Sequence, residues 1–169
     1  DLTPEQIAQA ADVIGYGAVK YFDLKQNCIT NYIFNYDHML DTRGDTAVYL
    51  LFAFARVASI LRKGKEEKGY DPTSASVEDL LKVIVIEHPA ERQLAFELLQ
   101  FGDVLRSTVK DLMPNRLCDY LKAISVTFTE FVTKCHVLNS EECHSRLVLC
   151  EATRRVMDQC FSLLGIGTL

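Results

Sequence analysis

Over most of the chain the apolar residues recur three and four positions apart, the period of a helix with one buried face, and polar capping patterns mark where the helices begin. Thr3-Pro4-Glu5-Gln6 joins a capping hydroxyl, a proline at the first helical position and a glutamine at the third, and predicts a helix to about Phe22. The periodicity then fails. From residue 23 to 40 several aromatic and β-branched residues, among them Ile29, Tyr32, Ile33, Phe34 and Tyr36, predict an extended connection packed on its neighbours. Arg43-Gly44-Asp45 breaks the chain ahead of a second helix, capped by Asp45 or Thr46 and reaching about Leu61.

Residues 64–76 are polar, contain Pro72 and read as a loop, after which Ser76 caps a helix over 77–87 with Asp79 at its third position. Pro89 disfavours helical geometry at His88 and opens a fourth helix over 90 to about 112. Pro114 restarts a fifth that reaches about Cys135, and a last helix runs from about Glu141 to Leu164, ended by Gly165. The expected fold is all-α: an antiparallel helical bundle with short turns over 46–169, preceded over 1–45 by a helix and an extended junction.

At 169 residues, 49% hydrophobic and 24% charged, the chain has the makeup of one folded domain that buries a core without disulfides. Its apolar runs fall short of the roughly 20 residues a membrane span requires. The acidic, helix-capping start is unlike a secretory signal, and a first residue of Asp1 points to a piece of a longer protein with chemistry upstream. Cys28, Cys118, Cys135, Cys143, Cys150 and Cys160 fall mostly on apolar helical positions, which predicts unpaired thiols in a reducing compartment. Cys135-His136 and Cys143-His144 approach a metal pattern but lack the CxxC half-sites of a tetrahedral zinc site, so no metal is expected. The net charge of −5 confines any nucleic-acid contact to a local face.

On a wheel of about 100° per residue, Leu50, Phe54, Val57 and Leu61 form the core stripe of the second helix, and Tyr49, Phe52 and Arg56 share another face. Two rings and a guanidinium outside the core stripe suit a platform for bases, each stacked base contributing roughly 1–3 kcal/mol. The same residues suit packing on a neighbouring helix. Arg146, Arg154 and Arg155 late in the chain, with Arg62 and Lys63, either rim a phosphate-binding surface or steady the negative ends of helices. Glu66, Glu67, Glu91, Glu141 and Glu142 read as solvated helix ends. His88 reads as a capping or surface residue, and nothing orders Ser125, His136 and Asp119 into a triad. Gly15-Tyr16-Gly17 lies inside a helix with no strand before it and reads as a packing notch. No catalytic residue is expected.

Ile14-Gly15-Tyr16-Gly17-Ala18-Val19-Lys20-Tyr21, Asp23-Leu24, Asn31-Tyr32-Ile33-Phe34, Asp37-His38-Met39-Leu40 and Gly44-Asp45-Thr46-Ala47-Val48-Tyr49-Leu50-Leu51 with Ala55-Arg56 form a long ordered run that closely resembles arginyl-tRNA synthetases of eukaryotic cytoplasmic type. Leu117-Cys118-Asp119-Tyr120-Leu121, Phe128-Thr129-Glu130-Phe131, Ser145 to Ala152 and Cys160 to Ile166 extend the likeness over nearly the whole chain. The resemblance implies that residues 1–45 end a catalytic domain and that 46–169 form the anticodon-binding bundle of class I synthetases. It implies anticodon contacts at Tyr49, Phe52 and Arg56, with arginine tRNA and the catalytic domain of the same chain as partners, no membrane and a cytoplasmic setting. The site that joins arginine to tRNA, with ATP and Mg, lies upstream, so the chain holds no cofactor and does not catalyse aminoacylation alone. The competing reading is a non-catalytic adaptor within a synthetase or tRNA-modification complex.

Three departures from the family stand out. Cys28 replaces the arginine that ends its Asp-Leu-Ser-x-x-Arg stretch, leaving Lys25 as the nearby cation. Val132 replaces an aromatic that helps hold the anticodon. The tail closes as Gly167-Thr168-Leu169, so the family's terminal tRNA contact is either shortened or supplied by Leu169.

Overall fold

The computed structural model describes residues 3–168. Helix α1 (Pro4–Leu24) starts where its capping box requires: Thr3 Oγ1 accepts the Gln6 N–H at 3.2 Å, and Gln6 Oε1 accepts the Thr3 N–H at 2.9 Å. The junction after it is extended but only partly packed. Ile29 is 80% and Ile33 91% exposed; Tyr32 and Phe34 turn back to clamp Phe22, with ring centroids 5.8 and 5.3 Å away, and further along Met39 is buried in the core. The expected packing fails at Ile29 and Ile33 because no described neighbour lies over these side chains. A one-turn helix α2 (Tyr36–Met39) interrupts the segment, capped by Asn35 Oδ1 on the His38 N–H.

Helix α3 (Ala47–Lys68) continues past residue 61, because its late charges support the helix instead of ending it. Arg62 pairs with Glu66 one turn on at 3.3 Å, and the stop comes at Gly69, whose φ of 66° is the left-handed cap a glycine adopts freely. Ser76 caps α4 (Val77–Val83) through the Asp79 N–H at 3.2 Å. That helix ends short of residue 87 because Ser145 captures the chain beyond it: the Val85 N–H donates to Ser145 Oγ at 2.8 Å, and the hydroxyl donates to the Val85 carbonyl at 2.7 Å. With Ser145 buried, Ser145→Ala should cost about 1–3 kcal/mol in urea unfolding, the penalty for stranding both backbone groups.

The expected fourth helix is two, α5 (Pro89–Leu99) and α6 (Phe101–Asp111). At the bend the Glu97 carbonyl takes the Gln100 N–H and, at 2.9 Å, the Tyr120 hydroxyl, while Phe101 stacks on the Tyr120 ring at 6.0 Å. Helix α7 (Asn115–Cys135) lies along α5, a short 3₁₀ turn spans Val137–Asn139, and α8 (Cys143–Leu163) returns antiparallel to α3. Phe54 meets Phe161 edge-on at 5.6 Å, and ten residues further along α3 Gly64 lies against Leu147. Leu50, Val57, Leu121, Ile124, Phe128, Phe131, Leu147, Met157 and Phe161 are sealed in one core, so the all-α expectation holds. Gly17 serves as the notch, since a Cβ there would sit 3.1 Å from Ile166; Gly15 faces no neighbour.

Candidate nucleic-acid interface

The entry to α3 is fixed before its first turn. Tyr21 donates its hydroxyl to Asp45 Oδ1 at 2.7 Å, Lys25 donates to the Asp45 carbonyl at 2.6 Å, and Lys25 and Lys122 each stand 3.6 Å from Asp45 Oδ2. Asp45 thus ties α1 and α7 to the start of α3. Burial raises the Tyr21 phenol well above its ordinary value, and the hydrogen bond to Asp45 raises it further, so it remains a donor at every physiological pH. Next in the chain, Thr46 Oγ1 donates to the Asp41 carbonyl at 2.6 Å and accepts the Tyr49 N–H at 3.3 Å. Nothing in the local pattern around Asp45 revealed this joint, because Tyr21, Lys25 and Lys122 arrive from distant helices.

The three residues placed on one helical face differ in what they have left to offer. Tyr49 is half-buried and packs on the core, Phe52 stands 69% exposed, and Arg56 is half-buried. No carboxylate among the described residues closes an ion pair with Arg56, whereas Arg62 and Lys65 on the same helix are paired with Glu66 and Asp71. One ring therefore steadies the face, one presents its π surface, and the guanidinium keeps its donors free.

The basic candidates of the last helix are engaged. Arg146 is only 11% exposed: its Nε donates to Glu91 at 2.6 Å, and it also pairs with Glu142 at 3.2 Å and donates to the Cys135 carbonyl. Glu91, expected at a solvated helix end, is 1% exposed, because its carboxylate also accepts the Glu87 and His88 N–H groups, each at 3.0 Å. Arg154 grips the buried Glu151 with two bonds of 2.8 and 3.0 Å, and Arg155 adds a third at 2.6 Å. The guanidiniums of Arg146 and Arg154 are thus each held by a buried carboxylate of the fold. Leu169 lies outside the described residues.

Cys118, Cys160 and Ser125 are not prepared as nucleophiles. Burial pushes the Cys118 and Cys160 thiols up to about 12, so both stay protonated, and Ser125 is buried with its hydroxyl donated to the Leu121 carbonyl. Among the described residues no three His, Cys, Asp or Glu side chains gather to hold a metal ion. A cleft of about 430 Å³ lined by Glu87, Glu141, Glu142 and His144 is acidic and contains no residue of α3.

The comparisons agree with this architecture. The chain is 48% identical over 166 residues to the cytoplasmic arginine–tRNA ligase of Arabidopsis thaliana, an alignment covering 97% of this chain and 27% of that protein. It is 46% identical, again over 166 residues, to the chloroplastic/mitochondrial ligase of the same plant, covering 97% of this chain and 24% of that protein. The solved arginyl-tRNA synthetase of Plasmodium falciparum superposes with a TM-score of 0.82 at 33% identity, over 95% of this chain and 27% of that one. The chain therefore spans about a quarter of the length of the relatives it matches. Residues 2–36 match the family described as tRNA synthetases class I (R), catalytic domain. Because the pattern of the family described as DALR anticodon binding domain matches residues 50–169, most of the described fold, the chain belongs to that family.

Proposed function

We propose that this chain is the anticodon-recognising part of an arginyl-tRNA synthetase, residues 46–169 being the recognition bundle and residues 1–45 the end of the catalytic domain that delivers it. The observation that carries the reading is the exposed Phe52 ring beside the unpaired Arg56, on a helix whose first turn is clamped by Thr46 and Asp45. Phe52 offers a stacking face to an unstacked anticodon base, Tyr49 supports that face from the core, and Arg56 donates to a base edge or phosphate. Arg62, paired with Glu66 at 3.3 Å, makes no phosphate contact of its own. Arg146 and Arg154 take no direct part, and Leu169 would act from the tail. A face this small suits an overall acidic chain, because bases provide the contact area where phosphates do not.

Joining arginine to tRNA belongs, on this reading, to the catalytic part of the parent enzyme, with ATP and Mg. The described residues do not fit those groups. Gly15-Tyr16-Gly17 is interior to α1, with Gly17 against Ile166, and the acids are not gathered for a cation. We place the protein in the cytoplasm, supported by six free cysteines, five of them buried as thiols. No helix of the described residues is long and apolar enough to cross a membrane.

Tyr49→Ala and Arg56→Ala are each expected to weaken binding of arginine tRNA by about 1–3 kcal/mol in a fluorescence titration, with helicity unchanged by circular dichroism. Wild-type affinity in both variants would sink the reading and leave the adaptor role.

A further inference from the structure

The basic residues of α3 fall into two sets. Arg62 and Lys65 are paired with Glu66 and Asp71, while Lys63 and Lys68 are exposed and, like Arg56, meet no carboxylate among the described residues; Lys68, about 100° round the helix from Tyr49, leaves that face. Direction separates the two neighbours at 62 and 63. At about 100° per residue Lys63 falls about 40° from Tyr49, between Arg56 and Phe52 on the wheel, whereas Arg62 points about 140° away. Phe52, Arg56, Ser59 and Lys63 therefore follow one another at four-, three- and four-residue steps along a single face. At about 1.5 Å per residue that face extends about 21 Å from Tyr49 to Lys63. Glu67, one turn beyond, closes it with an acid.

We propose that Lys63 is a phosphate-binding residue that carries the anticodon-binding face onto the backbone of the same tRNA. The inference rests on the reading of Tyr49, Phe52 and Arg56 as that face, and it assigns the contact by direction instead of by charge count. Arg62 is the stronger hydrogen-bonding group but faces away and is held by Glu66, and Lys63 is the unpaired cation that faces with the rings. An ammonium there neutralises a backbone charge without reading sequence, so its contribution is electrostatic, sequence-independent and lost with salt.

The test is a salt series of tRNA titrations on the full chain, comparing wild type with Lys63→Ala, Lys63→Arg, Arg62→Ala, Phe52→Ala and Arg56→Ala. One phosphate contact is expected to change the slope of log affinity against log salt by roughly 0.7–0.9, so the disadvantage of Lys63→Ala should shrink about threefold between 50 and 200 mM salt. Lys63→Arg should restore the slope, Arg62→Ala should keep it, and Phe52→Ala should weaken binding at every salt concentration with the slope intact. An unchanged slope in Lys63→Ala, or an equal change in Arg62→Ala, overturns the inference. When Phe52→Ala still weakens binding in that case, the anticodon-binding reading survives; when Phe52→Ala and Arg56→Ala both bind as wild type, that reading falls and this inference with it.

Discussion

Glu91→Ala is expected to cost the fold about 3–5 kcal/mol, the loss typical of removing one partner from a buried ion pair. The carboxylate is 1% exposed and holds three groups at once: the Arg146 guanidinium at 2.6 Å and the N–H groups of Glu87 and His88 at 3.0 Å. Its removal leaves a cation that is 11% exposed without its closest counter-charge and uncaps the start of α5. Glu91→Gln should cost less, since an amide oxygen still accepts, and Glu91→Leu combined with Arg146→Met should recover most of the loss by removing both charges. Acid gives an independent readout. Burial alone would raise the Glu91 carboxyl, but Arg146 and the two N–H groups outweigh it and hold the group below its ordinary 4.5. A carboxyl lowered by folding stabilises the protein above its unfolded pKa and loses that contribution as the pH falls through the lowered value. The gap between wild type and Glu91→Ala should therefore narrow as the pH drops below 4.5 in urea titrations. A loss under about 1 kcal/mol at neutral pH would mean that the pair adds only what an exposed one does.

That ion pair also shows where sequence reasoning stops. Glu91 and Arg146 are separated by 55 positions, so the glutamate three residues after His88 reads as an ordinary capping acid until the last helix is in place. What was legible was local. The box at Thr3, the caps at Thr46 and Ser76, the proline start at residue 89 and the glycine stop at residue 165 each depend on neighbours within four positions, and each stands as expected. The errors arose where local and distant terms compete. Residues 64–76 read as a loop, yet the Arg62–Glu66 pair carries α3 onward to its cap at Gly69. The bend at Gln100 has no proline, and its cause is Tyr120 taking the Glu97 carbonyl from another helix. The candidate face was half legible. Periodicity put Tyr49, Phe52 and Arg56 on one side of a helix, but only coordinates could tell the half-buried ring from the exposed one and the unpaired guanidinium of Arg56 from those held by Glu91 and Glu151.

Phe54→Ala is expected to lower stability by about 3–5 kcal/mol, and Phe52→Ala, two positions away, by almost nothing. Both remove the same phenyl ring from the same helix, so any difference comes from what surrounds the ring. Phe54 is 6% exposed and meets Phe161 edge-on at 5.6 Å and 77°, which adds a directional aromatic contact to the buried area that truncation forfeits. Since α8 backs α3 along this line and the core is close-packed, the vacated volume cannot be refilled without shifting one helix against the other. At about 2–4 °C per kcal/mol, the thermal midpoint should fall by roughly 6–20 °C. Phe52, 69% exposed, gives up little apolar burial on truncation, and its midpoint should stay within about 2 °C of wild type. For tRNA binding the order reverses. Measured where both variants remain folded, Phe54→Ala should bind with nearly wild-type affinity and Phe52→Ala about 5- to 150-fold more weakly, the equivalent of about 1–3 kcal/mol for one stacked base. If Phe52→Ala lost stability and kept its affinity, its ring would be packing against the protein, and the exposed face of α3 would need another explanation.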